Sequence, residues 1–200
     1  MRCDSTLIRG VFVAIAALIL APAQPALAQV PTPRSGLYVS LGLGFGNLEA
    51  SSDQGTAINE EFKNGYAGYL AFGGTLANHW RLGVETNGYI SESNGSTASL
   101  AFFSVSPTYY PSISYNLWFK GYVGYAQLSS SAVGGVNDKE GGFALGAGIG
   151  YDVHVTKGDL AVIPFANYLA QVSGGSFAGL PGEQFKASLF QIGVGVGYRH

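Results

Sequence analysis

Two hundred residues suit one domain, and only 11% of them are charged while 47% are hydrophobic, against roughly 25% charged in an ordinary globular chain. Thirty glycines, twelve tyrosines and twelve phenylalanines stand beside one methionine, a mix that fits a barrel with aromatic girdles better than a soluble core. A formal charge of -2 without any basic cluster gives no electrostatic case for nucleic acid as a partner.

The chain opens on Arg2 and Arg9, an apolar run from Gly10 to Ala21, and Ala26-Leu27-Ala28. This is the form of a secretory signal peptide over residues 1–28 with cleavage before Gln29. The run falls short of the roughly 18 residues a spanning helix needs. Cys3, the one cysteine, lies within this segment, so the exported chain needs no redox account. Residues 29–34 carry two prolines and read as a short periplasmic leader. Residues 35–200 make up the barrel domain.

Eight segments then alternate with a period of two, the mark of a strand. The first, Ser35–Gly46, sets Leu37, Val39, Leu41, Leu43 and Phe45 against Tyr38, Ser40, Gly42, Gly44 and Gly46. Polar Asn47–Lys63 reads as an exposed loop. The second and third strands are Asn64–Thr75 and Trp80–Ser91, joined by a tight turn, and Glu92–Thr97 is a second loop. The fourth, Ala98–Tyr110, puts Phe103, Val105 and Tyr109 outward, a register that points Phe102 inward. The fifth, Asn116–Gln127, carries Lys120 and Tyr122 inward; Leu128–Gly141 is a Ser/Gly loop. The sixth, Gly142–Val155, has a glycine-rich row ending in Asp152 and His154. The seventh, Asp159–Val172, has two apolar rows and Pro164, so either face fits the interior. The eighth, Ser188–Tyr198, reads S-L-F-Q-I-G-V-G-V-G-Y, with Phe190, Ile192, Val194, Val196 and Tyr198 on one face and mostly glycine on the other.

Segments of this length match the roughly 9–11 residues of a tilted membrane strand. Their even number and the alternation of long and short connections fit a bacterial outer-membrane barrel with both termini in the periplasm. The expected fold is all-β, an eight-stranded antiparallel up-and-down transmembrane β-barrel, with the first strand pairing the last. The rival is a soluble barrel with its apolar row turned inward. It would leave glycine-rich, nearly uncharged rows facing water and large aromatics at segment ends, where a lipid interface wants them.

The runs W-R-L-G-V-E (Trp80–Glu85), Y-Y-P (Tyr109–Pro111), F-K-G-Y-V-G-Y-A (Phe119–Ala126), G-A-G-I-G-Y-D (Gly146–Asp152) and the final G-V-G-V-G-Y-R-H resemble small bacterial outer-membrane β-barrel proteins of the OmpA/OmpX-like class. The resemblance covers essentially all of residues 35–200. It implies residence in the outer membrane after export, and assembly by the barrel insertion machinery, which reads a closing strand ending in an aromatic. Here Arg199 and His200 follow Tyr198, a small departure. Two readings of that pair stay open: an extension of the interior charge, or a periplasmic tail.

The chemistry-bearing candidates are five inward-facing residues, Arg81, Glu85, Lys120, Asp152 and His154, all expected in the periplasmic half of the lumen. Buried charge must be paired, so Glu85 and Asp152 should balance Arg81 and Lys120, with His154 at the rim. A barrel of eight strands is only wide enough for its side chains to fill. The expected function is a structural or surface-interaction role with a plugged lumen, a narrow porin-like channel for small or apolar solutes being the alternative and a lipid-modifying enzyme a more distant one. No G-x-S-x-G and no metal-ligand histidine pair occurs, so no enzyme activity, cofactor or metal is expected. The glycine runs Gly42–Gly46 and Gly146–Gly150 open no helix and are not nucleotide loops. The loops carry Glu49, Asp53, Glu60, Glu61, Glu92, Asp138, Glu140 and Glu183. They suit a solvated surface, contact with host or neighbouring cells, or divalent cations bridging to lipopolysaccharide. Lipids of the outer membrane are the remaining partner, and the barrel is expected to be a monomer.

Overall fold

The computed structural model describes residues 35–52, 63–93, 96–112, 114–131, 137–155, 159–173 and 185–200. The signal segment 1–28 and leader 29–34 lie outside the described residues. Eight antiparallel strands follow in chain order: β1 (Leu37–Ser52), β2 (Asn64–Ala77), β3 (Trp80–Ser93), β4 (Ser96–Tyr109), β5 (Leu117–Ser131), β6 (Asn137–Tyr151, resuming after Asp152 as Val153–His154), β7 (Leu160–Gln171) and β8 (Phe185–Arg199). Each pairs with its chain neighbours, and β1 pairs with β8 from Tyr38↔Arg199 to Ser52↔Phe185. The barrel is therefore closed and leaves no sheet edge along its wall, as a lipid environment demands. Among the described residues no helix is long and apolar enough to cross a membrane.

Every strand alternates buried and exposed side chains. The exposed row of β1 includes Leu43 at 73% and Phe45 at 58% exposure. A soluble barrel would bury these groups, so their exposure sets the soluble alternative aside. Exposed aromatics lie near both ends of the wall, Trp80, Tyr109, Phe119, Tyr151 and Tyr198 towards the end that holds both termini and Phe45, Tyr66, Tyr125, Phe143 and Phe190 towards the other, with Phe72 and Phe103 mid-strand between them. The end positions are those amphipathic rings take at the two membrane interfaces. Phe102 is buried and Phe103 exposed, so the fourth strand takes the expected register. In β7 the interior row is Ala161, Ile163, Phe165, Asn167, Leu169 and Gln171. Its bulk is taken up by glycines on neighbouring strands: a Cβ on Gly146 of β6 would run into Leu169, and one on Gly197 of β8 into Ile163.

The strands overrun the sequence-based bounds at the end away from the termini. β1 continues to Ser52 rather than stopping at Gly46, β5 reaches Ser131, β6 starts at Asn137, and β3 and β4 run to Ser93 and from Ser96. Much of the expected first loop and of the Leu128–Gly141 loop is thus ladder. A band of about 25 Å takes roughly ten tilted residues, and these strands have 12 to 16. The excess leaves the apolar band, where the hydrophobic alternation fades while backbone pairing continues. The expected long–short alternation is accordingly weaker: residues 94–95 alone separate β3 from β4, while 110–116 separate β4 from β5. The two longest connections, 53–63 and 172–184, both lie at the end away from the termini.

The β2–β3 ladder shifts register between Thr75 and Ala77, and two further ladders lose rungs at prolines. The β4–β5 register passes from Val105↔Val123 to Thr108↔Lys120, and the β6–β7 register from Gly150↔Phe165 to Val153↔Val162. The missing rungs are those that an N–H on Pro107 would make to Gly121 and one on Pro164 would make to Tyr151. Loss of the second rung is what splits β6 at Asp152.

Candidate functional site

The interior has two chemically different halves. Towards the termini, four charged side chains with no more than 8% exposure point into the lumen: Arg81 and Glu85 from β3, Lys120 from β5, and Asp152 from the break in β6. Alternation alone puts them there, since each shares a row with glycines, serines or aromatics that also face inward. They sort into two pairs. Lys120 Nζ donates to Glu85 Oε2 at 2.7 Å, and Arg81 Nη1 lies 3.5 Å from Asp152 Oδ2.

Neutral donors complete each carboxylate. Glu85 Oε1 accepts from the Tyr122 hydroxyl at 3.1 Å and from Asn87 Nδ2 at 3.2 Å. Asp152 Oδ1 accepts from the Trp118 indole at 2.9 Å, and Oδ2 from the Tyr110 hydroxyl at 2.9 Å. Tyr110 in turn accepts from Arg81 Nη1. The cations also rest on ring faces: Lys120 Nζ is 4.7 Å from the Trp118 centroid, and the Arg81 guanidinium 4.8 Å from that of Tyr110. Each buried charge thus has a counter-ion, hydrogen bonds and polarisable surface, the conditions under which burial is tolerated.

His154 is half-buried at the rim. It lines a cavity of about 40 Å³ at this mouth, together with Tyr38, Asp152, Asp159 and Arg199. Asp152 Oδ1 is engaged by Trp118 and Oδ2 by Tyr110 and Arg81. Among the described residues no three His, Cys, Asp or Glu side chains are grouped to hold a metal ion. Arg199 is part of the closing ladder, opposite Tyr38, and His200 donates its N–H to Leu37 O at 3.0 Å. The two residues after Tyr198 therefore continue the wall rather than trailing from it.

Phe190, Val194, Val196 and Tyr198 are exposed on the outer face of β8, with Ile192 partly so. Tyr198 pairs with Val39 on one side and Leu160 on the other. Sequence reasoning did not single out Tyr110 and Trp118, which finish the Asp152 site. Both lie on inward rows, Tyr110 after Ser104, Ser106 and Thr108, and Trp118 before Lys120. Parity was the available signal. It also missed the far half of the lumen, where Leu48, Leu100, Leu128, Leu169 and Leu189 are nearly or wholly buried among Tyr89 and Phe102.

A family model described as outer membrane protein β-barrel domain matches residues 13–199. No curated protein sequence matches the chain. Among solved structures, Neisserial surface protein A (NspA) is similar with a TM-score of 0.62 at 16% identity, over 84% of this chain and 100% of that one. The attachment invasion locus protein Ail of Yersinia pestis gives 0.53 at 15% identity, over 82% and 99%. OprG from Pseudomonas aeruginosa gives 0.52 at 12% identity, over 86% and 100%. At such identities the likeness is one of fold.

Proposed function

The chain belongs to the outer membrane protein β-barrel domain family and is a protein of the bacterial outer membrane, and from that premise we propose that it serves a structural and surface-interaction role with its lumen plugged. The longer connections of such barrels are extracellular, so the end holding the termini is periplasmic. One observation carries the reading: the periplasmic half of the lumen is filled by the Arg81–Asp152 and Lys120–Glu85 pairs and their ring partners, and the cavity left at the mouth is about 40 Å³. That is room for very few waters, not for a solute path.

Planar bilayers test this. The purified barrel should give no steady single-channel current across tens of minutes of recording; ohmic steps of uniform size would defeat the reading and favour a narrow channel.

Surface interaction then falls to the outer rim. Ail was crystallised with the heparin analogue sucrose octasulfate, a polyanion. The sequence stretches Leu48–Lys63, Glu92–Thr97, Leu128–Gly141 and Ser173–Lys186 hold eight carboxylates, against Lys63, Lys139 and Lys186. Such a rim suits cationic partners on host or neighbouring cells, or divalent cations shared with lipopolysaccharide. On the closing strand, Phe190 to Tyr198 present the apolar face and terminal aromatic that insertion machinery would read, and the closed wall suits a monomer.

A further inference from the structure

The lumen changes character along its length: charged and amide side chains are interleaved with Tyr69, Ile163 and Phe165 in the periplasmic half, and an apolar layer lies beyond them. Entering from the periplasm, the inward rows bring Arg81, Glu85 and Asn87 on β3, and Asn167 on β7 after Phe165. On β8 they bring Gln191 after three glycines. Asn87, Asn167 and Gln191 are at most 2% exposed. Gln191 Oε1 accepts from Asn167 Nδ2, and Gln191 Nε2 donates to Gly88 O, both at 3.4 Å. The next inward residue on each of these three strands is Tyr89, Leu169 or Leu189.

There the apolar side chains form two arcs. Leu48, Leu189 and Leu169 are consecutive rungs across β1, β8 and β7, and Tyr89, Leu100 and Leu128 are consecutive rungs across β3, β4 and β5. Buried Ala67 on β2 and Ala144 on β6 close the gaps between the arcs. All eight strands thus contribute to one apolar layer across the outer half.

Unsatisfied polar atoms lie on the periplasmic side of this layer. Arg81 Nε, Thr108 Oγ1, Asn87 Oδ1 and Asn167 Oδ1 are buried with no hydrogen-bond partner among the described residues. Buried polar groups of this kind are normally met by ordered water. Arg81 and Thr108 line the cavity that opens at the mouth, which gives water its entry. An apolar layer of packed leucines, by contrast, stays dry and opposes any ion.

We propose that the periplasmic half of the lumen is a blind pocket of mixed polar and aromatic lining, which takes up water and small inorganic ions along its polar side as far as Asn87, Asn167 and Gln191, and that the leucine layer rather than the ion pairs is the barrier to passage. The proposal rests on the non-conducting reading and moves the barrier from the ion pairs to the leucine layer. The ion pairs then act as ordered filling in a hydrated half-channel.

Two sets of variants in planar bilayers, each first shown to be folded by heat-modifiable migration, test it. Leu48→Ser/Leu169→Ser/Leu189→Ser should convert a silent barrel into one with steady currents, while Arg81→Gln/Asp152→Asn should stay silent. Silence of the folded triple variant, or steady current from the neutralised pair, overturns the proposal. Should the triple variant fail to fold, thiol access decides. The only native cysteine is Cys3, in the predicted signal segment, so an introduced cysteine is the sole thiol of the exported barrel. Ag⁺ should react with Ser104→Cys, below the layer, at least tenfold faster than with Ala126→Cys, within it; equal rates overturn the proposal. Steady current in the unmodified barrel would defeat the non-conducting reading itself, and the Ag⁺ pattern would still report which level water reaches.

Discussion

Glu85 is the residue on which the interior depends most. It is 4% exposed and gathers Lys120, Tyr122 and Asn87 onto two oxygens. Removing it leaves the Lys120 ammonium buried against Trp118 without a counter-ion. Glu85→Ala should therefore cost about 3–5 kcal/mol, read as a fall in the urea midpoint of the barrel folded in lipid vesicles. Replacing both partners, as in Glu85→Gln/Lys120→Met, should recover most of that loss; if the double variant is as unstable as the single, the pair is not the source of the effect. Gly150 tests packing instead of charge. A Cβ there would run into the Trp118 indole, and Gly150→Ala should cost about 1–3 kcal/mol by overpacking and displace the indole from Asp152, visible as a shift in tryptophan emission. An unchanged spectrum with unchanged stability would contradict that contact. The four inward charges were legible in the sequence because a two-residue period assigns a face without ambiguity. Their pairing was not. Two carboxylates opposite two cations allow two matchings, and only the offset of strands around the barrel puts Asp152 by Arg81 and Glu85 by Lys120. Tyr110 and Trp118 went unnoticed because a ring on an inward row reads as filler until its polar atom is seen to reach a carboxylate.

At the scale of the strand, the two prolines are the irregularities that matter. Each sits on a lipid-facing row within the membrane band and removes one donor where water cannot replace it. Pro164→Val should restore the rung to Tyr151, join β6 across Asp152, and raise stability by about 1 kcal/mol, the net worth of a hydrogen bond. Hydrogen exchange of the new backbone amide in this variant would check it: fast exchange there shows that the rung has not formed. The sequence made β7 ambiguous for a related reason. Its apolar residues occur on both rows because the lumen opposite offers glycine, not polar groups, so Ile163 and Phe165 are as well housed inside as out. Strand ends were the least legible feature. Backbone pairing continues past the lipid, as in Asn47–Ser52, where nothing in the side-chain pattern need record it.

Across the whole molecule, charge is graded from one face to the other. The sequence stretches Leu48–Lys63, Glu92–Thr97, Leu128–Gly141 and Ser173–Lys186 hold Glu49, Asp53, Glu60, Glu61, Glu92, Asp138, Glu140 and Glu183 against three lysines. The lumen balances Arg81 and Lys120 with Glu85 and Asp152, and at the periplasmic mouth Arg199 and Asp159 line one cavity. Charge is balanced where water is scarce and left in excess where it is plentiful, so the imbalance at the rim costs little in stability while setting its potential. Over distances of the Debye length, about 8 Å at physiological salt, that rim repels polyanions and draws polycations. In nanodiscs of zwitterionic lipid, where the bilayer adds no net charge, a short oligolysine should bind the barrel at low salt and be released, with affinity falling more than tenfold, as ionic strength rises to about 0.15 M. Sucrose octasulfate should show no saturable binding under the same conditions by calorimetry. Saturable, salt-resistant binding of the sulfated probe would mean that a local basic site overrides the rim, and the assignment of an anionic outer surface to cationic partners would fall. Reversing Glu60 and Glu61 together to lysine should lower oligolysine affinity without altering the urea midpoint, because these positions fall between β1 and β2 in the sequence.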